Sequence, residues 1–539
     1  MKRKMKTMRL EKIIVVAAIV LVVFGACSEY LNVEDATKVD PNTFPADEEE
    51  FFQLFVGAYS GLSTGNYNGP WPGGMYNGNQ LLLGYLSDEV HRTDNSDPDG
   101  GYSGNISSLR YTAENDAFAR LYKGLYTGVF RANMVINKAP SVDFTNVSER
   151  DVMVAEAKFL RALNYFNLTL LWGDVPMLLE EDVDNPNKLA NNPPISAEEV
   201  YAQIVSDLED AIAVLPTSQE MEGRVDVWGA KAILAKVYLF GADELGKSEW
   251  YALAETEAKE VLDGSPYGMN TGITSLYDNY QQMFDLANHS QQEYIFAVNH
   301  YHTNGATGWG DNDYGSTYDL IVLPWLNPAP TGGNGDRTGW GWQHVYQSVV
   351  EEWSDTDPRK DYSLFIEGEA LSADVTYHST TGHHADRAAR EGGGSVQKFW
   401  QTLPTGKPVF VPRDWPVIRV ADLMLIHAEA DLMADGNLSA AGLANINAVR
   451  TRAELSPLAS ADREDILQER RWELFMEGHR WFDLMRTKTA ETAFDQIAAL
   501  DPEGEDFDKL DFNPQRHYKL PYPYSALVAN QGLTQKTGW

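Results

Sequence analysis

Residues 156–176 have the sequence EAKFLRALNYFNLTLLWGDVP, and this stretch decides the fold class. Apolar residues recur at helical spacing along it and along the residues just before it. We predict a helix that begins at Ser148, with Asp151 completing a variant capping box, and that ends at a turn formed by Gly173 and Pro176. One face of this helix is expected to carry Val152, Ala155, Phe159, Ala162, Phe166 and Leu170.

The same helical period recurs on both sides of that stretch. Ser196 and Glu199 have capping-box spacing for another helix, and residues 226–240 are apolar on two sides, which requires neighbours on both. Successive helix pairs of roughly 30 to 45 residues resemble tetratricopeptide-type repeats. We therefore predict a mostly α fold, a tetratricopeptide-like helical-repeat scaffold with a loop-rich, irregular second subdomain. Further helices are predicted over 47–62, 116–139, 250–262, 417–433, 439–452 and 462–485.

The segment 267–414 differs in composition from the helical parts of the chain. It shows few helical periods and many Gly, Asn, Asp and aromatic residues. Such a composition is typical of loops, which often carry binding residues on a rigid scaffold. We predict that 267–414 is a loop-rich ligand-binding subdomain between two scaffold parts, 46–266 and 415–539.

The N-terminus has the pattern of an export signal. A basic start precedes the apolar run Ile13–Phe24, which as a helix is about 18 Å long and falls short of the ~30 Å bilayer core. Residues 1–26 are therefore predicted to be a signal peptide. Residues 23–27, Val-Phe-Gly-Ala-Cys, resemble the lipobox of bacterial lipoproteins, which implies cleavage before Cys27 and lipidation of its sulfur. Residues 27–45 are predicted to be a flexible tether; the alternative is a soluble exported protein with a free thiol.

Charge and cysteine content exclude several classes of function. The chain has 539 residues with 43 Lys and Arg against 78 Asp and Glu, a formal net charge of -35. This acidity argues against nucleic-acid binding and against electrostatic adhesion to anionic lipid. Because Cys27 is the sole cysteine, the chain can form neither an intrachain disulfide nor a cysteine-based metal centre.

A second stretch, residues 469–486, has the sequence ERRWELFMEGHRWFDLMR. Together with residues 156–176 it resembles the two hallmark segments of the SusD-like (RagB/SusD) family. The stretches 131–133, 419–430, 447–453 and 520–539 are also similar to that family and follow its order. The resemblance implies an outer-membrane lipoprotein, anchored through Cys27 and facing the cell surface. It further implies that the protein captures nutrients, usually oligosaccharides, for a SusC-like TonB-dependent transporter.

The charged side chains within 469–486 are best explained by a role in the fold. Glu469, Glu473, Glu477 and Arg480 are predicted to lie on one long helix. The three glutamates are four residues apart and Arg480 is three residues beyond the last, a spacing that favours ion pairs along that helix over a catalytic carboxylate cluster. We therefore expect these residues to stabilise the fold.

Ligand binding is predicted to lie in aromatic-rich loops. A sugar ring has an apolar face and a rim of hydroxyl groups, so a receptor needs a flat aromatic ring beside amide, carboxylate or guanidinium partners. The loops contain such residues among glycines and asparagines, although packing or contact with a partner protein would also account for each aromatic ring. The candidate ligand-binding residues are Tyr67, Trp71, Tyr76, Asn79, Asp88, Arg92, Trp309, Asp311, Tyr314, Trp340 and Trp342.

Two alternatives to a sugar-binding lipoprotein remain open at the level of sequence. A surface glycoside hydrolase requires two carboxyl groups about 5 to 10 Å apart across a groove, one with a raised pKa. A peptide-capturing member of the same family is the other, and an acidic receptor favours basic peptides. No catalytic signature motif is present, and we predict neither a cofactor nor a metal. Asp355, Asp357 and Asp361 are better explained by turn formation around Pro358 than by cation binding.

Overall fold

The computed structural model contains helices joined by short strands and irregular connections. It describes residues 44–62, 75–76, 80–92, 105–269, 276–284, 292–300, 318, 322–323, 342–366, 370–372, 375–376, 393–399, 412–500, 510 and 512–539. The helices are α1 (Glu48–Ser60), α2 (Gln80–Leu86), α3 (Asp116–Lys138), α4 (Val147–Trp172), α5 (Pro186–Ala190), α6 (Ala197–Ile212), α7 (Val227–Leu245), α8 (Trp250–Gly264), α9 (Leu276–Met283), α10 (Gln347–Glu352), α11 (Pro358–Ser363), α12 (Val420–Asp435), α13 (Ala440–Arg452), α14 (Arg463–Glu473), α15 (Arg480–Thr487), α16 (Ala490–Leu500), α17 (Pro514–His517) and α18 (Tyr524–Ala529).

The described strands are short and antiparallel. A four-stranded sheet has the order β1-β5-β9-β6, and three further pairs are β4 with β10, β2 with β3, and β7 with β8. The strands are β1 (Val90–His91), β2 (Val175–Pro176), β3 (Pro194–Ile195), β4 (Tyr294–Val298), β5 (His344–Val345), β6 (Leu364–Ile366), β7 (Ala370–Ser372), β8 (Val375–Thr376), β9 (Gly394–Val396) and β10 (Trp415–Arg419).

The helices form a continuous packed series, as the sequence predicts. Helix α1 packs on α3, α3 on α4, α4 on α6, α6 on α7, and α7 on α8. The series then passes from α8 directly to α12, which packs on α13 and α14. Helix α7 is buried on two sides, as expected for a helix with neighbours on both. The prediction of a mostly helical, repeat-like scaffold is confirmed, and the parts before and after 267–414 join through α8 and α12.

Two of the described strands of 267–414 pair with strands outside that segment. Strand β5 pairs with β1, and β4 pairs with β10. The core likewise includes residues from all parts of the chain, from Phe51 in α1 to Phe296 in β4 and Phe475 after α14. The loop-rich segment is therefore tied to the scaffold by backbone hydrogen bonds as well as by apolar packing. Its boundaries as a ligand-binding subdomain stay a prediction.

The ends of several helices follow from local capping chemistry. Asp47 caps α1 by accepting a hydrogen bond from the Glu50 N–H at 2.9 Å, and Ser196 and Glu199 form the predicted reciprocal capping box of α6. The prediction was wrong at the start of α4. Its cap is Asn146, whose side chain accepts from the Ser148 N–H at 3.2 Å; an asparagine satisfies the free N–H groups as well as the predicted serine would.

Two other predicted helices are wrong in part. Residues 415–419 form strand β10 before α12 begins, because the buried run Trp415–Arg419 pairs with the distant strand β4. The helix predicted over 462–485 is broken between α14 and α15, where Met476 has a φ of 61° and Gly478 a φ of 83°. Glycine adopts that left-handed conformation with little strain. The carboxylates at 469, 473 and 477 therefore do not lie on one continuous helix.

Candidate functional site

Two residues that the sequence assigns to ligand binding, Arg92 and Trp342, lie in contact although they are distant in the chain. Strands β1 and β5 pair antiparallel with His91 opposite His344. This register brings the residue after β1 close to the residues before β5. The Arg92 guanidinium carbon lies 4.0 Å from the centre of the Trp342 ring, a separation typical of a cation–π contact. We call Arg92 and Trp342 the Arg–Trp pair.

The surroundings of the Arg–Trp pair fix its position. The Tyr85 hydroxyl of α2 donates a hydrogen bond to the Trp342 carbonyl at 2.9 Å. A Cβ added to Gly84 would lie 2.9 Å from the Gln343 side-chain nitrogen, so the missing side chain allows α2 to approach β5 closely. Arg92 and Trp342 are 4% and 6% exposed. The pair is therefore a rigid, buried support and does not form an exposed aromatic surface.

Two other candidate residues, Tyr76 and Asp88, are placed in the interior. The Tyr76 hydroxyl accepts a hydrogen bond from the Asn167 side chain at 3.0 Å. Asp88 accepts two bonds from Arg480, at 2.8 and 2.7 Å, and lies 3.1 Å from Arg471. Both side chains are thus engaged inside the protein, which differs from the predicted position on a ligand-facing loop.

The remaining candidates lie outside the described residues, and their roles stay predictions. For Trp340 the chain shows where its stretch joins the described part of the structure. Arg92 directly precedes residues 93–104, and Trp342 directly follows residues 324–341. These two stretches therefore begin and end at the Arg–Trp pair. The candidates outside the described residues are Tyr67, Trp71, Asn79, Trp309, Asp311, Tyr314 and Trp340, together with the lipidation candidate Cys27.

The carboxylates of the second hallmark stretch form a buried ion network with distant residues. Glu473 accepts hydrogen bonds from Arg419 at 2.8 Å and from Arg359 at 3.2 Å, and from Arg452 and Tyr280. All these side chains are buried. The prediction that ion pairs explain the carboxylates is confirmed, but their partners come from other elements and not from the same helix.

The network continues around Glu477 and Glu469. Glu477 pairs with Arg419 at 2.8 Å and with Lys398 at 2.7 Å, and Glu469 pairs with Arg359 at 2.7 Å. Because Arg359 and Lys398 belong to 267–414, the network joins that segment to the scaffold. The sequence does not indicate these two cations, since a basic residue of a short helix or turn gives no sign of its distant buried partner.

Lys398 and Arg419 also stabilise the break between α14 and α15. A helix end leaves carbonyl groups without intrahelical partners. Lys398 donates to the carbonyls of Glu473 and Phe475 at 3.0 and 2.9 Å, and Arg419 donates to the Glu473 carbonyl at 2.9 Å. The break is therefore built into the network and satisfied by it.

The electrostatics of the network keep its carboxylates ionised. Burial acts to raise the pKa of Glu473, but Arg452, Arg419 and Arg359 outweigh it and hold the pKa well below its usual range. Burial also acts to raise the pKa of Glu477, but Arg419 and Lys398 outweigh it and lower this pKa to about 2. A general acid in glycoside hydrolysis needs a raised pKa. Neither carboxylate is suited to that role.

Glu89 is a described carboxyl group with the opposite behaviour. Burial, followed by the charge of neighbouring Asp88, raises the pKa of Glu89 to about 8. The side chain is 2% exposed, and Asp88 is already engaged with Arg480 and Arg471. Two adjacent buried residues do not face each other across a groove, so they do not form the carboxyl pair of a glycosidase.

The described residues contain neither a metal-binding cluster nor a membrane-spanning helix. Within the described ranges, no group of three or more His, Cys, Asp or Glu side chains is arranged to bind a metal ion. No helix in that part of the chain has the length and apolar character needed to cross a bilayer. Asp357 caps α11 through the Arg359 N–H at 3.0 Å, which confirms its predicted role in a turn.

Family models match most of the chain. Residues 281–539 match the model described as "SusD family", and residues 72–239 match the model described as "Starch-binding associating with outer membrane". The chain belongs to the SusD family. The segments that match include both hallmark stretches, so the family resemblance inferred from them is confirmed.

Individual relatives agree with this assignment. A SusD-like protein of Bacteroides ovatus is 29% identical over 405 residues, covering 70% of this chain and 67% of that protein. SusD-like protein P25 of Formosa agariphila is 26% identical and covers 98% of both chains. Among solved structures, a laminarin binding SusD-like protein has a TM-score of 0.73 at 26% identity, covering 92% of this chain and 100% of that one. The family is one of binding proteins, and the prediction of a non-enzymatic protein is confirmed.

Proposed function

We propose that this SusD-family protein captures oligosaccharides or polysaccharide fragments at the outer membrane and delivers them to a SusC-like TonB-dependent transporter. The observation that carries the proposal is the Arg–Trp pair. Residues 93–104, which contain Asn, Asp and Tyr, start at this rigid pair, and residues 324–341, which contain Trp340, end at it. The starch-binding description of one matching family model and the laminarin binding of a similar structure support a carbohydrate as the ligand.

In this proposal the scaffold and the loops have separate tasks. The Arg–Trp pair and the buried ion network hold the bases of the loops, and the loop residues contact the ligand. Trp71, Trp309 and Trp340 are proposed to provide flat apolar surfaces for sugar rings. Asn79 and Asp311 are proposed to bind hydroxyl groups. Rigid support of this kind lowers the entropy cost of binding.

Location at the membrane is proposed to depend on Cys27. The outer-membrane association in the family model's description supports this location. Cleavage before Cys27 and lipidation of its sulfur would leave residues 27–45 as a tether to the helical body. A Cys27→Ala variant should appear in the soluble fraction of cells and keep its affinity for ligand. Retention in the membrane fraction would contradict anchoring through this residue.

Calorimetric titration tests the ligand site. A glycan array first selects the oligosaccharide that the wild-type protein binds best, with basic peptides included as the competing ligand class. We expect at least one of Trp71→Ala, Trp309→Ala and Trp340→Ala to weaken binding tenfold or more, which corresponds to about 1.4 kcal/mol. Trp228→Ala, a partly buried position on α7, is the matched control and should bind normally. Unchanged affinity in all three loop variants would remove these loops from the site, and preference for peptides would favour the peptide-capturing alternative.

A further inference from the structure

A large groove crosses the helical scaffold at a place that the Arg–Trp pair does not line. It has a volume of about 1010 Å³ and lies along α14 and α16, bounded by the end of α15 and the connection between α10 and α11. We call it the α14–α16 groove. Its walls carry hydroxyl and amide side chains, namely Ser354, Thr356, Gln468, Thr487, Thr489, Thr492 and Gln496.

The floor of the α14–α16 groove is a layered stack. The Arg471 guanidinium carbon lies 4.6 Å from the centre of the Trp472 ring. Trp353 stacks on Trp472 with ring centres 4.5 Å apart and planes inclined by 11°. Because Trp472 is buried and contacts both groups, the floor offers the Arg471 guanidinium to a ligand rather than a bare ring.

One donor of this floor lacks a partner. Arg471 is 6% exposed and uses its terminal nitrogens on Asp88 and Glu352. Its Nε is buried, and no hydrogen-bond acceptor in the described structure meets it. A buried donor without a partner costs about 1–3 kcal/mol. Arg471 lines the groove, and an oxygen atom of a bound molecule would remove that cost once the side chain turns its Nε toward the occupant.

The charges and shape of the α14–α16 groove favour a neutral, hydroxyl-rich occupant. Its arginines are already paired with carboxylates, for example Arg450 with Glu469 at 2.9 Å and Arg463 with Glu429 at 2.8 Å. The apolar residues of its lining are buried or only partly exposed, as at Leu455, Leu458 and Leu467, so they offer little surface to an apolar peptide helix. The volume is at the upper end of small-molecule sites, which suits several linked sugar rings.

We infer that the α14–α16 groove is a second oligosaccharide-binding site, separate from the loops at the Arg–Trp pair. The inference rests on the proposed function in one respect, namely that the ligand is a glycan. Thr and Gln side chains both donate and accept hydrogen bonds, as sugar hydroxyls do. A second site on the scaffold would hold a long chain at two points and raise its apparent affinity without new contacts in the loops.

The test uses oligosaccharides of about six rings, including laminarin and starch fragments, with the full-length protein in calorimetric titrations. Wild type should bind two molecules per chain. Thr492→Tyr and Gln496→Tyr place a ring in the groove and should reduce this to one, with the affinity of the remaining site unchanged. Ala498→Tyr is the matched control because Ala498 is exposed on the same helix outside the groove, and it should retain both sites.

A protection assay locates the second site independently. In a Cys27→Ala background, Thr492→Cys provides a single thiol in the groove and Ala498→Cys a single thiol outside it. The best-binding oligosaccharide should slow alkylation of the first thiol fivefold or more and leave the second unchanged. Equal rates at both thiols, together with unchanged stoichiometry in the tyrosine variants, would overturn the groove site and leave the loop site intact. Binding that survives loop substitutions but is lost on filling the groove would support the groove and refute the loop site. Failure of every oligosaccharide to bind would overturn both.

Discussion

Replacement of Glu473 by glutamine should destabilise the protein strongly. The structure surrounds this carboxylate with Arg419, Arg359, Arg452 and Tyr280, all buried. Glutamine keeps one acceptor oxygen but turns an N–H₂ group toward guanidinium donors, which leaves buried positive charge without compensation. Breaking a buried ion pair in this way costs about 3–5 kcal/mol. We expect a loss of that size in the free energy of unfolding.

Denaturant unfolding followed by tryptophan fluorescence measures this loss, because Trp353 and Trp472 lie beside the network. The matched control is Glu464→Gln, an exposed position on the same helix, which should change stability by less than about 0.5 kcal/mol. The lowered pKa of Glu473 means that its contribution is present above the unfolded pKa and is lost only as pH falls through the folded pKa. The difference between wild type and Glu473→Gln should therefore be constant from pH 6 to 8. A difference below about 1 kcal/mol in that range would refute the view that this network supports the fold.

Three further outcomes follow from the structure. The pKa of Glu89 is raised to about 8. The stability that its protonated form provides at low pH is therefore lost as pH rises from about 4.5 to 8. In the Glu89→Gln variant, the fall in the unfolding midpoint over that pH range should be smaller. Gly478→Ala forces a side chain onto a φ of 83° and should cost about 1–2 kcal/mol, measured by thermal unfolding. Arg92→Ala should weaken glycan binding in calorimetry by removing support from the loops, whereas Arg120→Ala, at an exposed ion pair on α3, should not.

The helical scaffold was predictable because its signals are local. The periodic spacing of apolar residues specifies helices within a few residues. The cap at Asp47 and the Ser196–Glu199 capping box likewise act on the helix that begins next to them. The strand Trp415–Arg419 and the break at Gly478 were missed for the opposite reason. Both depend on partners more than a hundred residues or several elements away, and no local pattern encodes those partners.

For the candidate site, the sequence predicts residue types but does not predict the contacts between them. Sequence composition identified Arg92 and Trp342 separately, and only the pairing of β1 with β5 shows that they touch. The main difference between prediction and structure is the burial of two candidate side chains. Tyr76 and Asp88 occur among polar loop residues, yet Asn167 and Arg480 hold them in the interior. Burial depends on the whole packed series of helices, which a stretch of a dozen residues does not reveal.

The central claim is that the protein binds a glycan without chemically changing it. The most direct measurement titrates the purified wild-type protein with the best oligosaccharide from the array and then analyses the recovered sugar for new reducing ends. Saturable binding with the oligosaccharide recovered intact is the predicted result. New reducing ends that increase with time and with protein concentration would contradict the account and favour a hydrolase.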